Sequence, residues 1–155
     1  MQPCDHSSVG VLVYRDGRLL LIDRKRPPFG LAAPAGHVDD HGDSGDTEEE
    51  RYKKAAIAEL GEETGLTTLS LELVTEGRRD NPCRRGSTWH YWRIYRAKTS
   101  GELNLSEEET QGHLWCNEQQ MKELLAGKPI LIDEKEASLE PVWREWFSEL
   151  PGKMA

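Results

Sequence analysis

Ala55-Ala56-Ile57-Ala58-Glu59-Leu60-Gly61-Glu62-Glu63-Thr64-Gly65-Leu66 decides how this chain is read, because it sets three carboxylates at helical spacing. At about 100° per residue, Glu59, Glu62 and Glu63 share one arc, while Ile57, Leu60 and Thr64 share a neighbouring arc suited to burial. Like charges at i, i+3 and i+4 repel by roughly a few tenths of a kcal/mol per pair, and no basic residue is interleaved among them. A cation is expected there. Mg²⁺ and Mn²⁺ are hard ions that take carboxylate oxygens and fill their remaining positions with water and substrate phosphate. The helix therefore reads as a metal platform for a phosphate ester. Its start is marked by Thr47 and Glu50, which form a capping box, and its end by Gly65, so the predicted helix runs from Glu48 to Thr64.

Upstream, Gly36 stands in Pro34-Ala35-Gly36-His37-Val38 at a predicted strand end. With Gly36, Glu50, Glu59, Leu60, Glu62, Glu63, Gly65 and Leu66 in order, the chain resembles the Nudix hydrolases. Their signature is a glycine, a glutamate, then Arg-Glu-apolar-x-Glu-Glu-x-Gly-apolar. The resemblance implies an α/β fold, a Nudix-like α/β/α sandwich with a mixed β-sheet. It also implies a metal-dependent hydrolase that cleaves the diphosphate linkage of a nucleoside diphosphate derivative, either a nucleoside triphosphate or an ADP-ribose-like compound. Glu59, Glu62 and Glu63 are then the catalytic carboxylates and metal ligands, the Gly36 carbonyl completes the shell, and the cofactor is Mg²⁺ or Mn²⁺.

Two departures qualify the match. Ala58 replaces the arginine before the first helix glutamate, so the ion pair that orients the carboxylates in the family is missing or comes from another residue. The loop between Gly36 and Glu50 is eight residues longer than the pattern expects, and Asp39-Asp40-His41-Gly42-Asp43-Ser44-Gly45-Asp46 makes it acidic. Two readings from other classes follow. One is a nucleotide-binding sensor domain that kept the fold and lost turnover. The other is a Ca²⁺ loop over Asp39 to Glu50, whose frame fails at His41, Ser44 and Asp46.

A chain of 155 residues suits a single domain over 1–155, large enough to bury a core without disulfides. The formal charge of -8 argues against a general nucleic-acid partner and for reliance on cations wherever phosphate is handled. Cys4, Cys83 and Cys116 are odd in number and scattered, as reduced thiols of a cytoplasmic protein would be. Cys4-Asp5-His6 offers two zinc-type ligands, but no second pair at finger spacing follows and Cys83 with His90 is only a guess at partners, so the first eight residues read as a polar lead. No apolar run approaches the roughly 20 residues of a membrane span.

Ser8 to Tyr14 and Arg18 to Arg24 are predicted antiparallel strands joined at Asp16-Gly17. Leu69, Leu71 and Leu73 alternate with polar residues as in a half-buried strand, and Thr88 to Ala97 is an aromatic strand. Gly112 to Cys116 is a short strand and Glu118 to Leu125 a short helix. From Leu139 to Leu150 a final helix, with Pro141 in its first turn, places Leu139, Trp143, Trp146, Phe147 and Leu150 on one stripe. That stripe is read as core, which leaves a monomer or a homodimer.

Substrate contacts are expected from two basic loops and the aromatic strand. Arg24 and Arg26 offer charge to a second phosphate and Phe29 a ring for a base. Arg78 and Arg84 lie in the second loop, and Trp89 and Tyr91 on one face of the aromatic strand. Each also reads as ordinary surface or packing. Glu108 and Glu109, in an acidic run, are candidates for the additional base or metal ligand that the family often takes from a downstream loop. Pro82 stands sixteen positions after Leu66, similar to a marker of the ADP-ribose-cleaving branch.

Overall fold

Thr47 opens the glutamate helix as expected: its hydroxyl accepts the Glu50 N–H at 3.2 Å and Glu50 Oε1 accepts the Thr47 N–H at 3.3 Å. In the computed structural model, which describes residues 4–41 and 45–150, this helix, α1, spans Glu48–Thr64 and stops at Gly65 with φ 74°. Among the described residues, nine strands and two further α-helices follow the patterns of sequence or depart from them for identifiable reasons.

The chain divides into two compact units. The first holds the chain up to Leu12 and Pro34–Ser106. It contains the start of β1 (Ser7–Arg15), β4 (Ala35–His37), a 3-10 turn (Val38–Asp40), α1, β5 (Thr67–Asp80) and β6 (Trp89–Ser100). β6 lies between β1 and β5, and β4 pairs with β1. The antiparallel register sets Ser8 opposite His37, Val9 opposite Gly36 and Gly10 opposite Ala35. That register delivers Gly36 to α1.

β5 and β6 form a long hairpin from Thr67 opposite Ser100 to Asp80 opposite Trp89. Arg78 and Arg79, expected in a loop, are therefore on a strand. The Leu-rich segment is a strand, but Leu69 is 65% exposed and Leu73 42%. The ladder shifts between Thr68 and Ser70 and again between Leu73 and Thr75. Each extra residue breaks the period of two and turns side chains off the face that strict alternation would bury. On α1 the packed face is Tyr52, Ala55, Ala56, Leu60 and Thr64 with Glu59 and Glu63, whereas Ile57, expected in the core, is 47% exposed. The buried stripe is rotated toward the carboxylates.

The second unit holds Val13–Ala33 and the chain from Glu107 onward. β1 ends there in a hairpin with β2 (Arg18–Arg24), Tyr14 opposite Leu19 and Arg15 opposite Arg18. β2 also pairs with β3 (Leu31–Ala32) and β7 (Thr110–Cys116). Its Leu19-Leu20-Leu21-Ile22 run is buried on both faces, as a strand covered on each side must be. α2 (Glu118–Leu125) and α3 (Pro141–Glu149) take the predicted positions, and every member of the Leu139 to Leu150 stripe is buried. A small hairpin of β8 (Ile130–Ile132) and β9 (Lys135–Ala137) was not legible in the sequence. The class is α/β, with a mixed sheet and flanking helices.

Gly30 and Glu140 join the two ends of this unit. Leu31 N–H donates to Ser138 O at 2.7 Å and Glu140 N–H to Leu31 O at 3.0 Å. Gly30 has φ 131°, and a Cβ there would come within 2.5 Å of the Glu140 nitrogen. Glu140 itself is 5% exposed. Burial pushes its carboxyl up to about 7, with Arg24 pulling the other way.

The folded chain thus holds this proton over a range in which the unfolded chain has released it. Stability contributed by the neutral carboxyl is complete below about pH 4.5 and falls as pH rises toward 7. Urea unfolding of Glu140→Gln should lack that decline and exceed the parent at alkaline pH by on the order of 3 kcal/mol. Parallel pH profiles for the two proteins would refute the assignment.

Candidate functional site

The three glutamates are held in three different ways. Glu63 Oε2 accepts the Ala35 N–H at 2.9 Å, so β4 grips the end of α1 through its backbone. Glu59 Oε1 meets His41 Nε2 at 3.0 Å. Both carboxylates are under 10% exposed. Glu62 is exposed, yet one of its oxygens lies within 4.8 Å of the ligand atoms of His41 and Glu59.

Gly36 is the residue that lets them converge. A Cβ built on it would overlap the Glu59 carboxyl group. The glycine is needed for space and not for a left-handed backbone, since only close approach separates it from alanine. Gly65 and the segment after β6 complete the frame. Asn104 N–H donates to Thr64 O at 2.7 Å and Ser106 N–H to Glu63 O at 3.0 Å, which satisfies carbonyls left over at the helix end.

His41 was not singled out by sequence reading. It stands at the head of the inserted acidic loop, and its imidazole contacts the Glu59 carboxylate where Ala58 cannot. The only available signal was the combination of Ala58 with a lengthened loop that contains a histidine. The hard oxygens of Glu59, Glu62, Glu63 and the Gly36 carbonyl suit Mg²⁺ or Mn²⁺. An imidazole beside them is better tolerated by Mn²⁺ than by Mg²⁺.

Three carboxylates of the Asp39 to Glu50 frame are engaged by protein groups. Asp39 accepts two hydrogen bonds from Arg85, at 2.6 and 3.1 Å. Asp46 takes Lys54 Nζ at 2.9 Å on both oxygens, and Glu50 is engaged with Thr47. Residues 42–44 lie outside the described residues, Asp43 among them.

The substrate candidates divide. In the first unit, Trp89 stacks on His6 with ring centroids 3.9 Å apart, and the Arg78 guanidinium sits 4.2 Å from the same ring. Trp89 is thereby engaged by protein groups. Tyr91 is 36% exposed and donates its hydroxyl to Glu76 at 2.6 Å. Arg84 is exposed in the hairpin turn. In the second unit, Arg24 Nε donates to Pro28 O at 2.6 Å, which folds the basic loop on itself, and Phe29 is 60% exposed. Arg26 faces Glu108 at 3.9 Å, and Lys25 N–H donates to Glu109 O at 3.0 Å. The acidic run therefore lies beside the basic loop, and the Glu108 side chain is 86% exposed.

A groove of about 310 Å³ lies on another side of α1, lined by Glu49, Lys53, Leu71, Leu73, Arg93 and Tyr95. Lys53 and Glu62 are nine positions apart, which is half a turn away around the helix axis. This groove is therefore not the cradle of the carboxylates.

Among curated proteins no sequence match was found. Solved structures give the fold. A MutT protein from Methanosarcina mazei Go1 superposes with a TM-score of 0.65 at 16% identity, covering 99% of this chain and 97% of that one. A MutT NUDIX hydrolase from Burkholderia pseudomallei gives 0.60 at 23% identity, covering 94% and 98%. The NUDIX domain of Shewanella oneidensis NrtR, solved with ADP ribose, gives 0.56 at 18% identity, covering 96% and 88%. A family model described as NUDIX domain matches residues 5–149, a span that includes Gly36, His41 and all three glutamates. The chain belongs to the NUDIX domain family, as a Nudix hydrolase.

Proposed function

We propose that this chain is a Mg²⁺- or Mn²⁺-dependent pyrophosphohydrolase that cleaves the diphosphate linkage of a nucleoside diphosphate derivative. The observation that carries the reading is the seating of the Glu59 carboxylate against Gly36, with Glu62 and Glu63 on the same arc. Nudix hydrolases generally need divalent metal ions. Glu59, Glu62, Glu63 and the Gly36 carbonyl are the residues that would hold one. When bound, it supplies charge neutralisation at the diphosphate and a lowered pKa for water.

The chain's own groups do the rest. Glu63, fixed by Ala35 N–H, keeps its other oxygen directed by the backbone of β4. His41 orients Glu59 in the role that arginine plays in the family signature. Glu62, the most exposed of the three, is the best placed to receive a proton from water. Positioning and fixed charge account for most of the barrier reduction in phosphoryl chemistry. The ligand bound by the NrtR domain supports an ADP-ribose-like substrate, as does Pro82, and a nucleoside triphosphate is the other candidate. We read the chain as one domain, since the family match runs through both units. The setting we infer is cytoplasmic, with a nucleotide as the partner. No described helix is long and apolar enough to cross a membrane.

Nucleotide or phosphate release should be measured with Mg²⁺ and Mn²⁺ over nucleoside triphosphates, ADP-ribose, dinucleoside polyphosphates and nucleotide sugars. Glu62→Gln should reduce turnover of the best substrate by at least about 100-fold. Binding without release above that variant would instead identify a sensor domain, the reading that Ala58 keeps open.

Gly36→Ala offers a second check that needs no substrate. The methyl group must displace the Glu59 carboxylate, so calorimetric Mn²⁺ affinity should fall about tenfold or more. Unchanged affinity would remove Gly36 from the site.

A further inference from the structure

We propose that Cys4, His37, Cys83 and His90 form a tetrahedral Cys₂His₂ site for Zn²⁺, separate from the glutamates of α1. The proposal does not depend on the hydrolase reading. One ligand atom from each of the four residues lies within 4.8 Å of all the others, and Cys4 Sγ is 3.5 Å from His90 Nε2. Zinc bonds of about 2.3 Å to sulfur and about 2.0 Å to nitrogen give a tetrahedron whose edges run from roughly 3.3 to 3.8 Å. The Cys4–His90 edge already has that length, and the others need shorten by no more than about 1.5 Å. Two soft thiolates with two imidazoles select zinc over the hard ions that suit the glutamates.

Neighbouring hydrogen bonds prepare the ligands. Trp92 Nε1 can only donate, and it points to Asn81 Oδ1 at 3.2 Å. That oxygen is also 3.1 Å from His90 Nδ1. An oxygen cannot donate, so His90 Nδ1 must carry the proton, which leaves the Nε2 lone pair facing Cys4. Outer-shell carbonyl groups fix metal-binding histidines in this way. The His6 N–H donates to Cys4 Sγ at 3.3 Å, which holds the sulfur in place beside His90. Cys116 gives the contrast: it is fully buried and directs its thiol to Asn117 O at 3.4 Å.

Four separate segments supply the ligands: the lead before β1, the end of β4, the turn after β5 and the start of β6. No finger-like spacing exists because β-sheet pairing does the gathering. Tyr91 N–H donates to His6 O at 2.7 Å, which brings the lead onto β6. His37 follows Gly36 directly, so the ion would anchor the strand that faces Glu59.

The test uses the full chain under reducing conditions. Zinc content is measured after desalting, and Co²⁺ is then titrated into chelator-stripped protein. One zinc per chain is expected, together with thiolate-to-cobalt charge-transfer absorption and the intense visible bands of a four-coordinate centre. Cys4→Ser and Cys83→Ser should each weaken Co²⁺ binding about tenfold or more and halve the charge-transfer intensity. Glu62→Gln should leave both signals intact, which separates this site from the carboxylates. If the serine variants fail to fold, the charge-transfer intensity of the parent chain still counts its thiolates. A six-coordinate cobalt spectrum, charge-transfer intensity undiminished in Cys83→Ser, or a Cys4–Cys83 disulfide trapped on lysis would each overturn the proposal.

Discussion

Contact between the Gly36 backbone and the Glu59 carboxylate is the constraint around which the first unit is built. A buried carboxylate without partners costs several kcal/mol, and α1 buries two of them within a single turn. Each has a specific partner: Ala35 N–H for Glu63 and His41 for Glu59. Both partners depend on the β1–β4 register, since a slip of one residue would move Ala35 and Gly36 to opposite faces. The repulsion among the glutamates is thus tolerated because strand pairing positions the groups that offset it.

The stretch from His37 to His41 carries more of this organisation than its length suggests. His37 faces Cys4, Cys83 and His90. Asp39 takes both terminal nitrogens of Arg85, and with side-chain exposures of 11% and 14% that pair is shielded from solvent. Bidentate geometry and low exposure place it above an ordinary surface ion pair. His41 then reaches Glu59. The 3-10 turn and its two flanking residues therefore tie the hairpin tip, the N-terminal lead and the glutamate helix together.

Much of this was legible without coordinates. The bounds of α1, its capping box, the Asp16-Gly17 hairpin and the stripe of α3 follow from contacts made within a few residues, so local spacing suffices to read them. Burial on β5 was misread because Leu69 and the residue after Leu73 are bulged, and a bulge depends on the partner strand. Ile57 was misassigned for a similar reason: a helix has several candidate stripes, and the surface it packs on selects among them. The β8–β9 hairpin carries no turn signal stronger than Asp133-Glu134, which adopt φ 49° and 69° without a glycine.

What the sequence by itself determined is the carboxylate helix and the arc its glutamates share, because i, i+3 and i+4 spacing is a property of the helix alone. The tertiary structure alone decided what stands against those carboxylates. His41 meets Glu59, Trp89 stacks on His6, and Arg26 faces Glu108. It also decided that Cys4, His37, Cys83 and His90 meet. Such pairings join residues far apart in the chain, and their proximity is set by strand register and loop path, which no periodicity in one segment encodes.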